Sequence, residues 1–226
     1  MQINTSIQHG FRWTLLLGLC LAASGCKIEH KSEAERRAKA NPAGNFESKT
    51  FNPAAEVDAM WDSKAMPTIS SMAMDYPALK KAMQNSMDKA GAQHGHREKG
   101  EGAPWNLATK VTGKIVETDT EVSAGTADID VNGDGKADVQ IQIGPVLKGA
   151  TIRDILPFIS FTAYTNQIEF AQLANAFNDR SYQSTFKSLD RTQLKGRKVE
   201  LTGVFAAESA EDLPLLTVVA FKVLNP

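Results

Sequence analysis

Two short alternating runs, Ala127–Val131 and Ala137–Ile143, flank the turn Asn132-Gly133-Asp134-Gly135, and this pairing constrains the chain more than any other feature. Alternation of apolar and polar residues gives each run one buried face. Asn-Gly and Asp-Gly supply the positive φ that a tight hairpin turn needs. A hairpin alone is marginal in water, so further strands must cover it. Lys110–Thr118 alternates in the same way, and Lys198–Ala206 and Leu215–Leu224 follow later, separated by the acidic stretch Glu208–Asp212. Between the hairpin and those last strands lies one helical pattern. It opens at Asn166, with Glu169 three positions on as in a capping box. Ile168, Ala171, Ala174 and Phe177, with Phe170 and Leu173, give it a broad apolar face, and a further turn is expected from Ser181 to Leu189. The order strand, strand, strand, helix, strand, strand is that of a five-stranded OB-like barrel whose helix plugs one end. Gly203 suits a bend in a curved barrel strand. An open α+β sheet with helices on one face is the alternative.

The chain before this region divides into three. Trp13–Gly25 is an uncharged apolar run of 13 residues, shorter than the roughly 20 a spanning helix needs. Its layout is that of a signal peptide, residues 1–25, and Ala22-Ala23-Ser24-Gly25-Cys26 has the form of a bacterial lipobox. Cys26 is the expected site of lipidation, which places the protein in the bacterial envelope, facing the periplasm or the outer surface. Several acyl chains, palmitate among them, would anchor it stably where a single chain would not. The other cysteine, Cys20, lies inside the signal, so no disulfide framework is available to the rest. Residues 26–50 are charged, mixed in sign and poor in large apolar side chains, as a solvated tether is.

Residues 51–103 read as a helical segment ending in a Gly/His loop. Asn52-Pro53 opens a first helix through Val57, Met60 and Trp61, closing before Pro67. Asp75 and Pro77 open a second, whose stripe Leu79, Ala82, Met83, Ser86, Met87, Ala90 ends at Gly91 as a C-terminal cap. Six of the seven methionines lie between Met60 and Met87. Thioethers can hold copper(I), but methionine at helical spacing also fills irregular core gaps, the reading favoured here. His94 and His96, with Glu98 and Glu101 nearby, could hold a divalent metal if the loop brought them together.

The barrel domain, residues 104–226, contains the densest chemistry. Asp130, Asn132, Asp134 and Asp138 occupy alternate positions around Gly135, the spacing of a calcium loop, although the twelfth position is Ile141 rather than a bidentate Glu. Calcium is therefore the one candidate cofactor here. The competing reading is a hairpin turn whose acids are merely solvated. The corner Gly144-Pro145-Val146-Leu147-Lys148-Gly149 lacks the Lys-Ser/Thr pair of a phosphate loop, and no Gly-x-Ser-x-Gly occurs. A net charge of −1 without clustered cations argues against nucleic acid.

The run from Ile141 to Asp154, followed by Pro157-Phe158-Ile159 and by Thr165–Ala171 through Asn178, resembles a family of predicted periplasmic lipoproteins of unknown function. Its members are often encoded beside sugar ABC-transporter genes. Met60-Trp61-Asp62-Ser63-Lys64 and Pro104-Trp105-Asn106 fit its pattern too, and Lys148 stands where the family pattern has Arg. The resemblance implies lipid anchoring and a transporter or other envelope partner, and it supplies no catalytic residue. The expectation is thus a non-enzymatic binding or accessory lipoprotein, with Arg153, Asp154, Asn166 and Gln167 as candidate ligand or partner contacts. A metal-dependent enzyme using the calcium-like loop or His94/His96 is the alternative.

Overall fold

The computed structural model describes residues 51–98 and 103–224, all within one compact unit. The expected signal peptide, Cys26, the tether and Glu101 lie outside the described residues. The chain enters through helix α1 (Pro53–Met60), capped by Asn52, whose Oδ1 accepts from the Ala55 amide at 3.1 Å. Pro67 does not end the helical run as expected. A π-turn at Trp61–Ala65 absorbs the irregularity, with the Met66 amide bonded back to the Trp61 carbonyl, and α2 (Met66–Met72) continues. Pro67 falls in the first turn of α2, where a missing N–H costs nothing. The second expected helix is two. Ser86 is extended (φ −167°, ψ 110°), splitting α3 (Tyr76–Asn85) from α4 (Met87–His94), and its hydroxyl accepts from the Lys89 amide. Gly91 sits inside α4 rather than capping it, because a Cβ there would lie 2.1 Å from Trp105 Cδ2. Glycine at that position lets the helix touch the Trp105 ring.

Strand β3 (Trp105–Asp119) is the spine of the sheet. One edge pairs antiparallel with β6 (Lys198–Ala207), from Trp105↔Ala207 to Lys114↔Lys198. Its other edge is shared. The first half takes β1 (Met74–Asp75) in parallel and β2 (Gly95–His96) antiparallel, and the second half takes β4 (Thr126–Asp130). The N-terminal segment therefore supplies two short strands as well as helices. β4 and β5 (Val139–Gln142) form the expected hairpin, in register Thr126↔Gln142 to Ile129↔Val139. β7 (Leu215–Leu224) pairs antiparallel with β6 and parallel with β5, closing the ring β3-β4-β5-β7-β6 in the OB order. Closure is uneven, since β5 and β7 meet only at Gln140↔Leu215 and Ile141↔Leu216.

Two apolar clusters result. Leu107, Val111, Ile115, Ile129, Val139, Ile141, Val199, Leu201, Phe205, Leu216 and Val218 fill the barrel, and Leu79, Met83 and Phe186 join them. Val57, Trp61, Ile69, Ile152, Ile155, Leu173 and Phe177 form a second cluster that also takes Ala108, Val204 and Val219 from the strands. The register shift at Thr202/Gly203 explains how β7 serves both clusters: Val219 is the unpaired residue and points to the second one. The helix α6 (Gln167–Thr185) lies along this second cluster and reaches the barrel through Phe186 just past its end. Its buried face is Glu169, Leu173, Phe177, Ser181 and Thr185, whereas Ile168, expected inside, is 69% exposed.

Candidate binding site

The acidic turn is organised by backbone amides. Asp130 is buried, with Oδ1 accepting from the Gly133 amide at 2.6 Å and Oδ2 from the Gly135 amide at 2.8 Å. Asp138 Oδ2 accepts from the amides of Val131 and Asn132, at 2.9 and 3.2 Å. Asn132 Oδ1 and Asp134 Oδ1 accept from Asp134 and Lys136, each at 2.8 Å. Gly133 and Gly135 both take φ 85°, a conformation that admits glycine readily. These amide bonds, that from Gly135 foremost, hold the Asp130 carboxyl below its usual range. Among the described residues, no three His, Cys, Asp or Glu side chains converge as a metal ion would require.

The two histidines diverge. His94 Nδ1 lies 3.0 Å from the Met72 carbonyl and His96 Nδ1 lies 2.8 Å from the Asp154 carbonyl. A carbonyl only accepts, so each Nδ1 carries its proton. They tie α4 and β2 to two different places.

Helix α5 (Thr151–Asp154) and its sequel hold the four candidate contacts. Arg153 Nε donates to Asp154 Oδ1 at 2.7 Å, Nη1 donates to the Phe170 carbonyl at 2.8 Å, and the guanidinium stands 3.6 Å above the Phe170 ring centre. Burial pushes the Asp154 carboxyl up while Arg153 pulls it down. Asn166 Oδ1 accepts from the amides of Ile168 and Glu169, both at 2.9 Å, making it the N-cap of α6. Glu169 reaches the Thr165 amide, one residue beyond the ordinary capping box. Gln167 is exposed. Three of the four thus brace the corner, and Gln167 faces solvent.

A cleft of about 330 Å³ opens where β5 and β7 part. Gln142, buried, forms its polar floor: Nε2 donates to Thr217 Oγ1 at 3.0 Å and to the Lys148 carbonyl at 3.1 Å, and Oε1 accepts from the Lys148 amide at 2.7 Å. Thr151 Oγ1 lies 3.2 Å from Thr217 Oγ1. The rim carries Ser209, Asp212, Leu213 and Leu215 from the β6–β7 connection, with Lys148 opposite. The sequence carries no signal for this site. Gln142 and Thr217 alternate with apolar residues and read as solvent-facing; the corner at Leu147–Thr151 folding over Gln142 is what buries it.

Comparison with known proteins agrees with this architecture. A family model described as Predicted periplasmic lipoprotein (DUF2291) matches residues 16–222. None of the curated proteins matches the chain. An OB-fold protein from Thermotoga maritima, solved by crystallography, superimposes with a TM-score of 0.61 at 14% identity, covering 77% of this chain and 99% of its own. At that identity the likeness speaks for the fold, and it bears out the OB expectation.

Proposed function

The chain belongs to the DUF2291 family of predicted periplasmic lipoproteins, and on that premise we propose a non-enzymatic binding role at the membrane, with the β5–β7 cleft receiving a small polar ligand or a partner segment. The lipid sits on Cys26, and the protein serves as an accessory to a sugar ABC transporter. The observation that carries the reading is the cleft itself. Buried Gln142, bonded to Thr217 and Lys148, fixes its floor, while Thr151, Ser209, Asp212 and Lys148 bring polar groups beside apolar walls from Leu213 and Leu215. Hydroxyl and charged groups beside apolar surface suit a hydroxyl-rich ligand, and in OB barrels the face reached by the loop between the last two strands is a usual place for oligosaccharides. Among the described residues, the carboxylates of the acidic turn and Nδ1 of both histidines are engaged with backbone groups, which favours a binding role over general acid–base chemistry.

A photo-crosslinker placed at Leu213 in living cells tests the reading. Capture of a transporter subunit, weakened by Leu215→Asp, is the expected result. Crosslinks to no envelope protein, or only to proteins unconnected with transport, contradict the accessory role at a transporter. Stoichiometric metal in the purified protein would instead favour the metal-enzyme alternative.

A further inference from the structure

The connection from α5 to α6 carries an exposed apolar surface that the cleft does not use. Phe158, Phe161 and Ile168 are 45%, 38% and 69% exposed. No Asp, Glu, Lys or Arg occurs between Asp154 and Glu169, in a chain that is 23% charged. The surrounding aromatic groups are packed: Phe161 meets Phe170 edge-on at 5.4 Å, Tyr164 lies 5.4 Å from Phe170, and Phe51 meets Tyr164 edge-on at 5.8 Å. Tyr164 also donates to Glu56 Oε1 at 2.7 Å, which fixes the connection to α1. A rigid element thus presents three large apolar side chains outward.

Phe51 is the point at which residues 26–50 join the described structure, so the tether emerges at this aromatic cluster. Twenty-five residues reach at most about 80–90 Å when fully extended. A lipid on Cys26 therefore holds this face within a tether's length of the bilayer, at an effective concentration far above that of a free protein. Aromatic and apolar side chains on a stretch free of Asp, Glu, Lys and Arg suit the boundary between headgroups and acyl chains.

We propose that Phe158, Phe161 and Ile168 insert into the surface of the membrane that bears the lipid anchor, so that the barrel rides on the bilayer in one orientation. This goes beyond the cleft reading and depends only on anchoring. Insertion is apolar: with no cation in the connection, it is insensitive to anionic lipid.

The test uses the lipidated full-length protein carrying Phe161→Trp, reconstituted into vesicles with brominated acyl chains, with wild type subtracted to remove the native tryptophans. Lys136→Trp on the β4–β5 turn serves as the solvent-facing control. The new Trp at 161 should be quenched and the control should not, equally in neutral phosphatidylcholine and in vesicles containing phosphatidylglycerol. Adding Phe158→Asp and Ile168→Asp should lower the docked fraction at least about tenfold, with the circular dichroism spectrum unchanged. Quenching at 161 no greater than at 136 overturns the proposal. So does quenching confined to anionic vesicles, or an unquenched probe accompanied by crosslinked dimers, which would mean that a second copy covers this face.

Discussion

The acidic turn and the connection from Asp154 to Glu169 invite opposite first impressions, and their hydrogen bonding sharpens the contrast. The turn concentrates charge and mimics a calcium loop, yet both oxygens of Asp130 are occupied by amides of its own loop. The connection has no charged residue and no motif of known chemistry, yet it holds three large apolar side chains in solvent on a frame braced by Arg153, Tyr164 and Asn166. A dense acidic motif can serve to build a turn. Surface left unsatisfied by the fold is the better guide to what a protein touches.

The largest effect expected from this contrast is at Arg153. Arg153→Ala leaves the half-buried Asp154 carboxylate without its partner and frees the Phe170 carbonyl, which should cost about 2–3 kcal/mol in chemical denaturation. Gln167→Ala, at the start of α6 and exposed, should change stability by less than about 0.5 kcal/mol. Equal losses for the two would mean that Arg153 does not brace the connection. Asn166→Ala should cost about 1 kcal/mol through the lost cap, read in the same denaturation curves.

The turn should respond to acid. Amide bonding lowers the folded pKa of Asp130, so the stability it contributes is fully present above the unfolded value and is lost as pH falls through the folded value. The protection factors of amides 131–138, taken against the intrinsic exchange rate at each pH, should therefore fall below the ordinary carboxylate range of about pH 4, and Asp130→Asn should remove that dependence. Tyr76, whose hydroxyl donates to the Asp138 carbonyl at 2.9 Å, is pushed up to about 12 by burial and stays protonated throughout. The smallest effect is a null one. Millimolar calcium should leave the thermal midpoint unchanged relative to chelator, and a clear rise would reinstate Asp130, Asn132, Asp134 and Asp138 as ligands.

Much of the barrel was legible because its strands bury one face and alternate accordingly. The β4–β5 hairpin, the Asn166 cap and the order of elements all read directly. Legibility failed wherever two faces are covered. Asn106, Leu107, Ala108 and Thr109 are buried in succession, since β3 lies between the barrel interior and the N-terminal helices, and the period of two disappears. Pro67 and Gly91 misled for a related reason: a π-turn and the close approach of Trp105 override the local stop signals. The cleft was invisible because it arises from the sparse pairing of β5 with β7, a tertiary outcome. The apolar connection was in view as residues, but a helical face was expected at Ile168 and that residue turned outward.

Hydrogen–deuterium exchange on the lipidated protein in vesicles measures the two regions in one sample. Wild type should show the amides of residues 158–168 protected relative to a Phe158→Asp/Phe161→Asp variant, while residues 131–138 exchange identically in both. Identical exchange at 158–168, or protection that appears at 131–138 instead, would contradict the assignment of the connection as the surface that meets the membrane.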